Sequence, residues 1–412
     1  MCADTNLHFY KFTGTAMRLK NNISRFIFLQ FFLYAYMGAF TPYMIAMGLD
    51  RGFSQTLVSV AVSFQMMCVL LGNVFWGRVS DRLRTSRKTF MVTMVLCGLF
   101  QVLLYYSKGS LFFLVYVLFG LVSGAVGVLL DTWLLRTISY DIALFRKVRS
   151  AGAIGYAVTI AGSGRAVETY GYGSALLLSS LMVLVTLVLC LGLGEAEPSG
   201  SAGAGRSAEK GSFLKEPVYL IWLVLLMLTG LATSPVGNMK IVILNRIGAG
   251  AAELGTDGLI GCIAQFAMFF LVSKLEKYSP VKRMLVISVC VMTGLTMYIY
   301  AEKVFMIYAA GMLFYGIFSI INPCTREIVK NVVSEKDQAT ATGIADAVSN
   351  NVSTMVAMLY AGTVSDLYGI KCLLAICMVF EIVTVLICIG LILYPAFSSA
   401  GSGSWKRRRT RI

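Results

Sequence analysis

Three carboxylates stand inside long apolar stretches of the 412-residue chain, Asp131, Asp346 and Glu381, and one guanidinium, Arg149, opens another stretch. A charge in an apolar run is expensive unless a cavity or a partner receives it, so each marks a place where a solute or a proton can be bound. Eighteen residues separate Asp131 from Arg149, and a turn near Tyr140 puts each nine residues from the bend. On an antiparallel helical hairpin the two are then level, about 13 Å from the turn. There a guanidinium fork can grip a carboxylate or the hydroxyls of a ligand. The plainer alternatives are an interface charge and a helix-end acid. Tyr156 follows Arg149 by two turns on the same face, where its ring suits either a sugar or base ring or simple helix packing. Asp346 sits some 12 Å inside its run and is followed by Ser349, Asn350, Asn351 and Ser353, so a polar helix face would also account for it. Glu381 lies mid-run and reads equally well as a proton-coupling acid or a neutral structural one.

Other chemistry is excluded or unsupported. His8 is the one histidine and lies near the start of the chain, so an imidazole relay within apolar segments is ruled out. The ten cysteines show no metal-type spacing and mostly fall in apolar runs, where cysteine is a small filler. No metal or cofactor is expected. There is no phosphate-binding loop of the GxxxxGK[ST] kind, so ATP drive within this chain is unsupported. No nucleophile–base pair suggests an enzyme.

The elements that must position these residues follow from composition. Hydrophobic residues make up 58% of the chain and charged ones 13%, with mean hydropathy +0.77. Such a chain takes the bilayer as its solvent. Twelve spans are read at 24–48, 57–77, 89–106, 111–136, 147–167, 174–194, 217–240, 255–273, 284–301, 304–327, 338–362 and 372–394. Each must be helical to close its own backbone hydrogen bonds. The segments between give a cytosolic tail (1–23), a six-helix bundle (24–194), a Gly/Ser/Ala-rich linker (195–216), a second bundle (217–394) and a basic tail (395–412). Assigning the N-terminus and every second loop to one side collects 28 of the 35 Lys and Arg residues there. By the positive-inside rule that side is the cytoplasm, with both termini on it. The net charge of +15 is thereby explained without nucleic acid. The tail KRRRTRI serves topology or touches anionic lipid.

One loop carries a pattern as well as charge: Gly77 to Lys88, GRVSDRLRTSRK. Asp81-Arg82 and Arg87-Lys88 have weak counterparts in Glu276-Lys277 and Lys282-Arg283, at an offset of 195 residues. AVETYGY (166–172) resembles VSDLYGI (364–370), with Tyr170 and Tyr368 offset by 198. Two matches at nearly one offset predict that the halves are copies of one six-helix unit.

Twelve helices, the six-plus-six split and the G-x-x-x-D-R-x-x-x-x-R-K loop resemble the major facilitator superfamily over nearly the whole chain. The common loop has Gly where this chain has Arg84. A closer likeness is to the sugar–proton and nucleoside–proton symporters that include lactose permease: LYAYMGAFTPYM (33–44) in helix 1, and Arg149, Gly152, Gly155 and Tyr156 in helix 5. The resemblance implies an all-α integral membrane protein of two pseudo-symmetric bundles. It implies that Asp131, Arg149, Tyr156 and Gln265 bind solute, with Gln265 at the acidic place of helix 8. It also implies that Gly77, Asp81, Arg82, Arg87 and Lys88 latch the halves at the cytoplasmic face, although positive-inside alone would explain the basic members. The second half lacks the Arg of helix 9 and the His and Glu of helix 10. Proton coupling therefore falls to Asp131, Asp346 or Glu381.

The expected function is alternating-access symport of a small polar solute, saccharide or nucleoside, with a proton, by a monomer in the cell membrane. The alternatives are an exporter of amphipathic compounds, suited by the many Met and Phe residues, and a transport-silent sensor. Among other polar residues, Lys240 is expected to snorkel to the outer interface, and Arg326 and Glu327 to cap and anchor helix 10. Gln65, Asn73, Asn238 and Asn322 divide between cavity and helix packing.

Overall fold

Lipid offers no partner to a backbone amide, so a spanning segment has to satisfy its own. A computed structural model describes residues 3–195 and 212–393, and among them the regular structure is helical, with no strand. The rods are α1 (Ala3–Phe40), prolonged by Thr41–Tyr43 and Met44–Asp50; α2 (Gln55–Leu83); α3 (Ser86–Tyr106); α4 (Ser110–Thr137); α5 (Ile142–Tyr170); and α6 (Tyr172–Leu191). The second half holds α7 (Pro217–Asn238), prolonged by Lys240–Asn245; α8 (Ala251–Leu275); α9 (Pro280–Ile299); α10 (Val304–Val332); α11, in the pieces Gln338–Ala347, π-helical Val348–Val352 and Ser353–Tyr368; and α12 (Ile370–Leu393). Every expected span is a helix, but several run past their expected ends. Helix α1 starts at Ala3 rather than residue 24, and α2 continues through the charged loop to Leu83. Hydropathy marks the apolar part of a rod, whereas helical hydrogen bonding persists into its charged ends. The linker residues 196–211 and the tail 394–412 lie outside the described residues.

Nine of the rods are long and apolar enough to cross a membrane; α5, α8 and α11 are not among them. Packing explains why those three can be more polar. Within the first half α1 packs on α5 and α6, α2 on α4, and α3 on α4 and α6. Within the second, α7 packs on α11 and α12, α8 on α10, and α9 on α10 and α12. The same pairings recur six helices on. The main contacts between the halves are α2 on α11 and α5 on α8. The polar rods therefore face protein or cavity, where polar groups find partners.

Close helix approach rests on small residues. A Cβ on Gly155 would collide with the Phe31 carbonyl of α1, and one on Gly72 with the Leu121 carbonyl of α4. Each bundle also ties down its third helix in the same way. Arg51 donates to the carbonyls of Leu104 (3.1 Å), Tyr105 (2.5 Å) and Ser107 (3.0 Å) at the end of α3. Arg246 donates to those of Tyr298 (2.8 Å) and Ala301 (2.9 Å) at the end of α9. A cation there meets the carbonyls a helix C-terminus leaves unpaired. Below, "terminal face" means the side on which α1 begins and α12 ends, and "far face" the opposite side.

Candidate functional site

Between the halves lies a cavity of about 410 Å³. The first half contributes Gln65, Tyr116 and Tyr156 to its walls, and the second Asn238, Lys240 and Tyr315. The halves touch along their far-face ends. Thr56 of α2 meets Asp366 of α11, Ser63 donates to the Met355 carbonyl at 2.6 Å, and Gly164 of α5 lies against Gly255 of α8. Toward the terminal face Asp346 and Asn350 of α11 are exposed and Arg149 is half-exposed, so the cavity opens in that direction.

The hairpin of α4 and α5 turns at Ser139 and Tyr140, both in the left-handed region (φ 50° and 63°). It brings Arg149 Nη1 to 2.9 Å from Asp131 Oδ2, as the residue count from Tyr140 requires. Two residues of α1 complete the cluster: Gln30 Nε2 donates to Asp131 Oδ1 at 2.9 Å, and Arg149 Nη2 donates to the Tyr34 hydroxyl at 3.3 Å. The Arg149 guanidinium also lies 5.9 Å from the centre of the Phe145 ring. The pair is thus held from three helices while the Arg149 side chain stays 49% exposed. It can bind polar groups without a large desolvation penalty.

The second half holds another ion pair, one member of which, Lys240, lines the cavity, and which the sequence reading does not anticipate. Lys240 does not snorkel to an interface. Its Nζ lies 3.3 Å from Asp257 Oδ2, with the two side chains 3% and 0% exposed. The ammonium donates to the Tyr298 hydroxyl and lies 4.3 Å from the centre of that ring, and the Tyr315 hydroxyl donates to Asp257 Oδ2 at 3.5 Å. Asp257 Oδ1 has no hydrogen-bond partner. Four rods, α7 to α10, meet here. Lys240 reaches this place because α7 is interrupted at Met239, four residues beyond Pro235. Proline supplies no N–H, which frees the Leu231 carbonyl. Tyr360 of α11 donates to that carbonyl at 3.2 Å.

The remaining expected residues divide. Tyr156 lines the cavity, with Gln65 and Asn238. Gln265 lies on α8 with its backbone carbonyl accepting from Ser319 at 3.1 Å, and its side chain is not part of the cavity wall. Asn73 is packed with its Oδ1 unpartnered, and Asn322 is exposed. Asp346 stands just before the π-helical turn of α11, and its carbonyl accepts from Asn350 Nδ2 at 3.0 Å. Glu381 is fully buried in the second bundle, away from the cavity. Arg326 and Glu327 do not close α10, which runs on to Val332; Glu327 instead pairs with the buried Arg283 of α9.

The charged loop works within its own half in this structure. Asp81 Oδ1 lies 3.1 Å from Arg136 Nη2 at the end of α4, and Arg136 Nη1 donates to Ser86 Oγ at 3.0 Å. The Arg87 backbone N–H donates to Glu195 Oε1 at 2.9 Å and its guanidinium to the Leu191 carbonyl at 3.4 Å. Gly77, Arg82 and Lys88 are the remaining expected members of the loop; Arg82 and Lys88 are exposed. Arg84, at the place of the family's glycine, ends α2 in the left-handed region with φ 50° and ψ 31°.

Solved structures share this architecture. The nucleoside transporter NupG aligns at TM-score 0.75 and 16% identity over 90% of this chain and 99% of its own. A point mutant of the same transporter aligns at 0.76 and 14% over 89% and 99%. A D-xylose–proton symporter aligns at 0.68 and 12% over 90% and 96%. No curated protein matches the sequence. The model of the MFS_1 like family matches residues 23–376. With that match over most of its length and the paired six-helix architecture around a central cavity, the chain belongs to the MFS_1-like family, among the membrane transporters of the major facilitator superfamily.

Proposed function

We propose that this transporter is a proton-coupled symporter of a small polar organic solute, a saccharide or a nucleoside, working by alternating access. The observation that carries the reading is the Asp131–Arg149 pair with Gln30 and Tyr34, half-exposed toward the terminal face, with Tyr156 two turns along α5 on the wall of a 410 Å³ cavity. That volume falls in the range of small-molecule sites, about 300–1,000 Å³. A hydroxyl-rich solute can exchange hydrogen bonds with this cluster while a ring stacks on Tyr156. The nearness in fold to a nucleoside transporter and a D-xylose–proton symporter supports the substrate class.

In this reading the terminal face is cytoplasmic, on the Lys and Arg bias, and the protein works as a monomer in the cell membrane. The bundles 24–194 and 217–394 rock about the cavity, joined by the linker 195–216. Asp131 and Asp346 lie toward the open mouth and are the carboxylates placed to exchange a proton with it; Glu381 would need a route through the second bundle. Gln265 is the least supported solute ligand. The loop of Gly77, Asp81, Arg82, Arg87 and Lys88 engages the second half when the mouth shuts.

The test is accumulation of radiolabelled xylose and uridine by proteoliposomes under an imposed proton gradient. Uptake abolished by a protonophore is the expected result. Gradient-independent equilibration of these solutes would remove the coupling, and no uptake of any member of a sugar and nucleoside panel would remove the substrate class.

A further inference from the structure

We infer that the repeated motif ending α5 and α11 is a double latch, in which each half caps a helix of the other and so holds the far face shut. The two copies superpose as G-x-x-x-[ED]-x-Y-G: Gly164, Glu168, Tyr170 and Gly171 in the first half, and Gly362, Asp366, Tyr368 and Gly369 in the second, all offset by 198 residues. The final glycines end their helices at φ 76° and 81°, in the left-handed region. That accounts for the glycine but not for the acid, since both acids stand exposed at a face where a solvated side chain would serve.

Their partners explain them. The Asp366 carboxylate accepts the backbone N–H groups of Gln55 (3.2 Å) and Thr56 (2.7 Å) and the Thr56 hydroxyl (2.6 Å). These are the first residues of α2, across the divide between the halves. The next donors of that turn are satisfied locally, Leu57 by Ser54 Oγ and Val58 by the Ser54 carbonyl. Half of the first-turn donors of α2 thus depend on the opposite bundle. Glu168 does the corresponding thing for α8: its Oε2 accepts the Ala252 N–H at 2.9 Å. A carboxylate at a helix N-terminus meets both unpaired donors and the positive end of the helix dipole.

The glycine four residues earlier makes the seam. A Cβ on Gly164 would fall 2.5 Å from the Ala251 carbonyl, and one on Gly362 would collide with the Gln55 carbonyl and Ser59 Oγ. In each copy the glycine lets the two rods touch, and the acid one turn on fastens them. When the far face opens, both caps must break together, because one rigid rotation separates α2 from α11 and α5 from α8. The latch therefore biases the molecule toward the state open at the terminal face.

The inference rests on alternating access but not on the substrate, so its test uses no solute. Spin labels are placed at the exposed far-face residues Lys108 and Glu302, and in a second preparation at Arg146 and Lys336 near the terminal face, with the native cysteines replaced. Distances are read by pulsed electron resonance in nanodiscs. Glu168→Gln with Asp366→Asn is expected to move population to a longer 108–302 distance and a shorter 146–336 distance in concert. Unchanged distributions would overturn the latch. So would a 108–302 distribution that merely broadens while 146–336 stays fixed, since that is local loosening. If the double variant does not fold, Asp366→Asn and Glu168→Gln alone are read by the same two criteria, each expected to shift in the same direction by less. Loss of proton-driven uptake with intact distance shifts would count against the proposed solute and leave the latch standing.

Discussion

Lys240, on the second-half wall of the cavity, lies 3.3 Å from Asp257, both withdrawn from solvent and both reached by tyrosine hydroxyls. Such a pair is balanced only as a pair. Removing one partner leaves an uncompensated buried charge, which costs about 3–5 kcal/mol, whereas replacing both by apolar groups is often near neutral. Lys240→Met and Asp257→Leu are each expected to lower the unfolding temperature in detergent sharply, and the double variant to regain much of the loss. Additive losses in this cycle would mean the two side chains act independently.

Arg149 and Asp131 are a different kind of pair, because Arg149 keeps access to the mouth. Arg149→Gln and Asp131→Asn are expected to weaken solute binding more than stability. Losing one charge-assisted hydrogen bond is worth about 1.5–3 kcal/mol, roughly ten- to a hundredfold in apparent affinity. Arg149→Lys keeps the charge but cannot serve Asp131 and Tyr34 with one planar fork, so it should recover only part of the uptake. Concentration dependence of xylose and uridine uptake measures this, and wild-type curves for all three variants would take the pair out of the site.

The contrast between the two pairs shows what a sequence can reveal. The bend near Tyr140 is visible as a polar break, and counting nine residues each way levels Asp131 with Arg149. A similar count from Gly248, left-handed at φ 74° in the α7–α8 turn, eight residues back and nine on, levels Lys240 with Asp257. That pair escapes notice because Asp257 stands near the start of an apolar run and looks like a helix-end acid. The expectation that Lys240 snorkels to the outer interface has no place for a partner on the next helix. Whole rods are legible because lipid forces apolar length. The Arg51 and Arg246 caps are not, because an arginine at a far-face loop looks the same whether it faces water or a neighbour's carbonyls.

Those two arginines provide a symmetry test. They are 195 residues apart, the offset of the two charged loops, and each caps the third helix of its own bundle. Arg51→Ala and Arg246→Ala should each destabilise the protein by similar amounts, about 1.5–3 kcal/mol for hydrogen bonds from a charged donor. Thermal unfolding of the two variants side by side checks this. A large effect in one and none in the other would show that the caps are not equivalent.

Arg84 offers a change in the opposite direction. It closes α2 with φ 50°, a conformation in which an L side chain is strained and glycine is not. Its side chain is exposed, and among the described residues it makes no ion pair. Arg84→Gly therefore relieves strain in the folded state, offset in part by the greater freedom of glycine in the unfolded chain. The net expectation is a gain of up to about 1 kcal/mol, seen as a higher unfolding temperature in detergent. Arg84→Ala separates the causes, since it removes the guanidinium but keeps the Cβ. Stabilisation by Gly with none by Ala assigns the effect to the backbone, while equal stabilisation by both would assign it to relief of charge repulsion with Arg82 and Arg87.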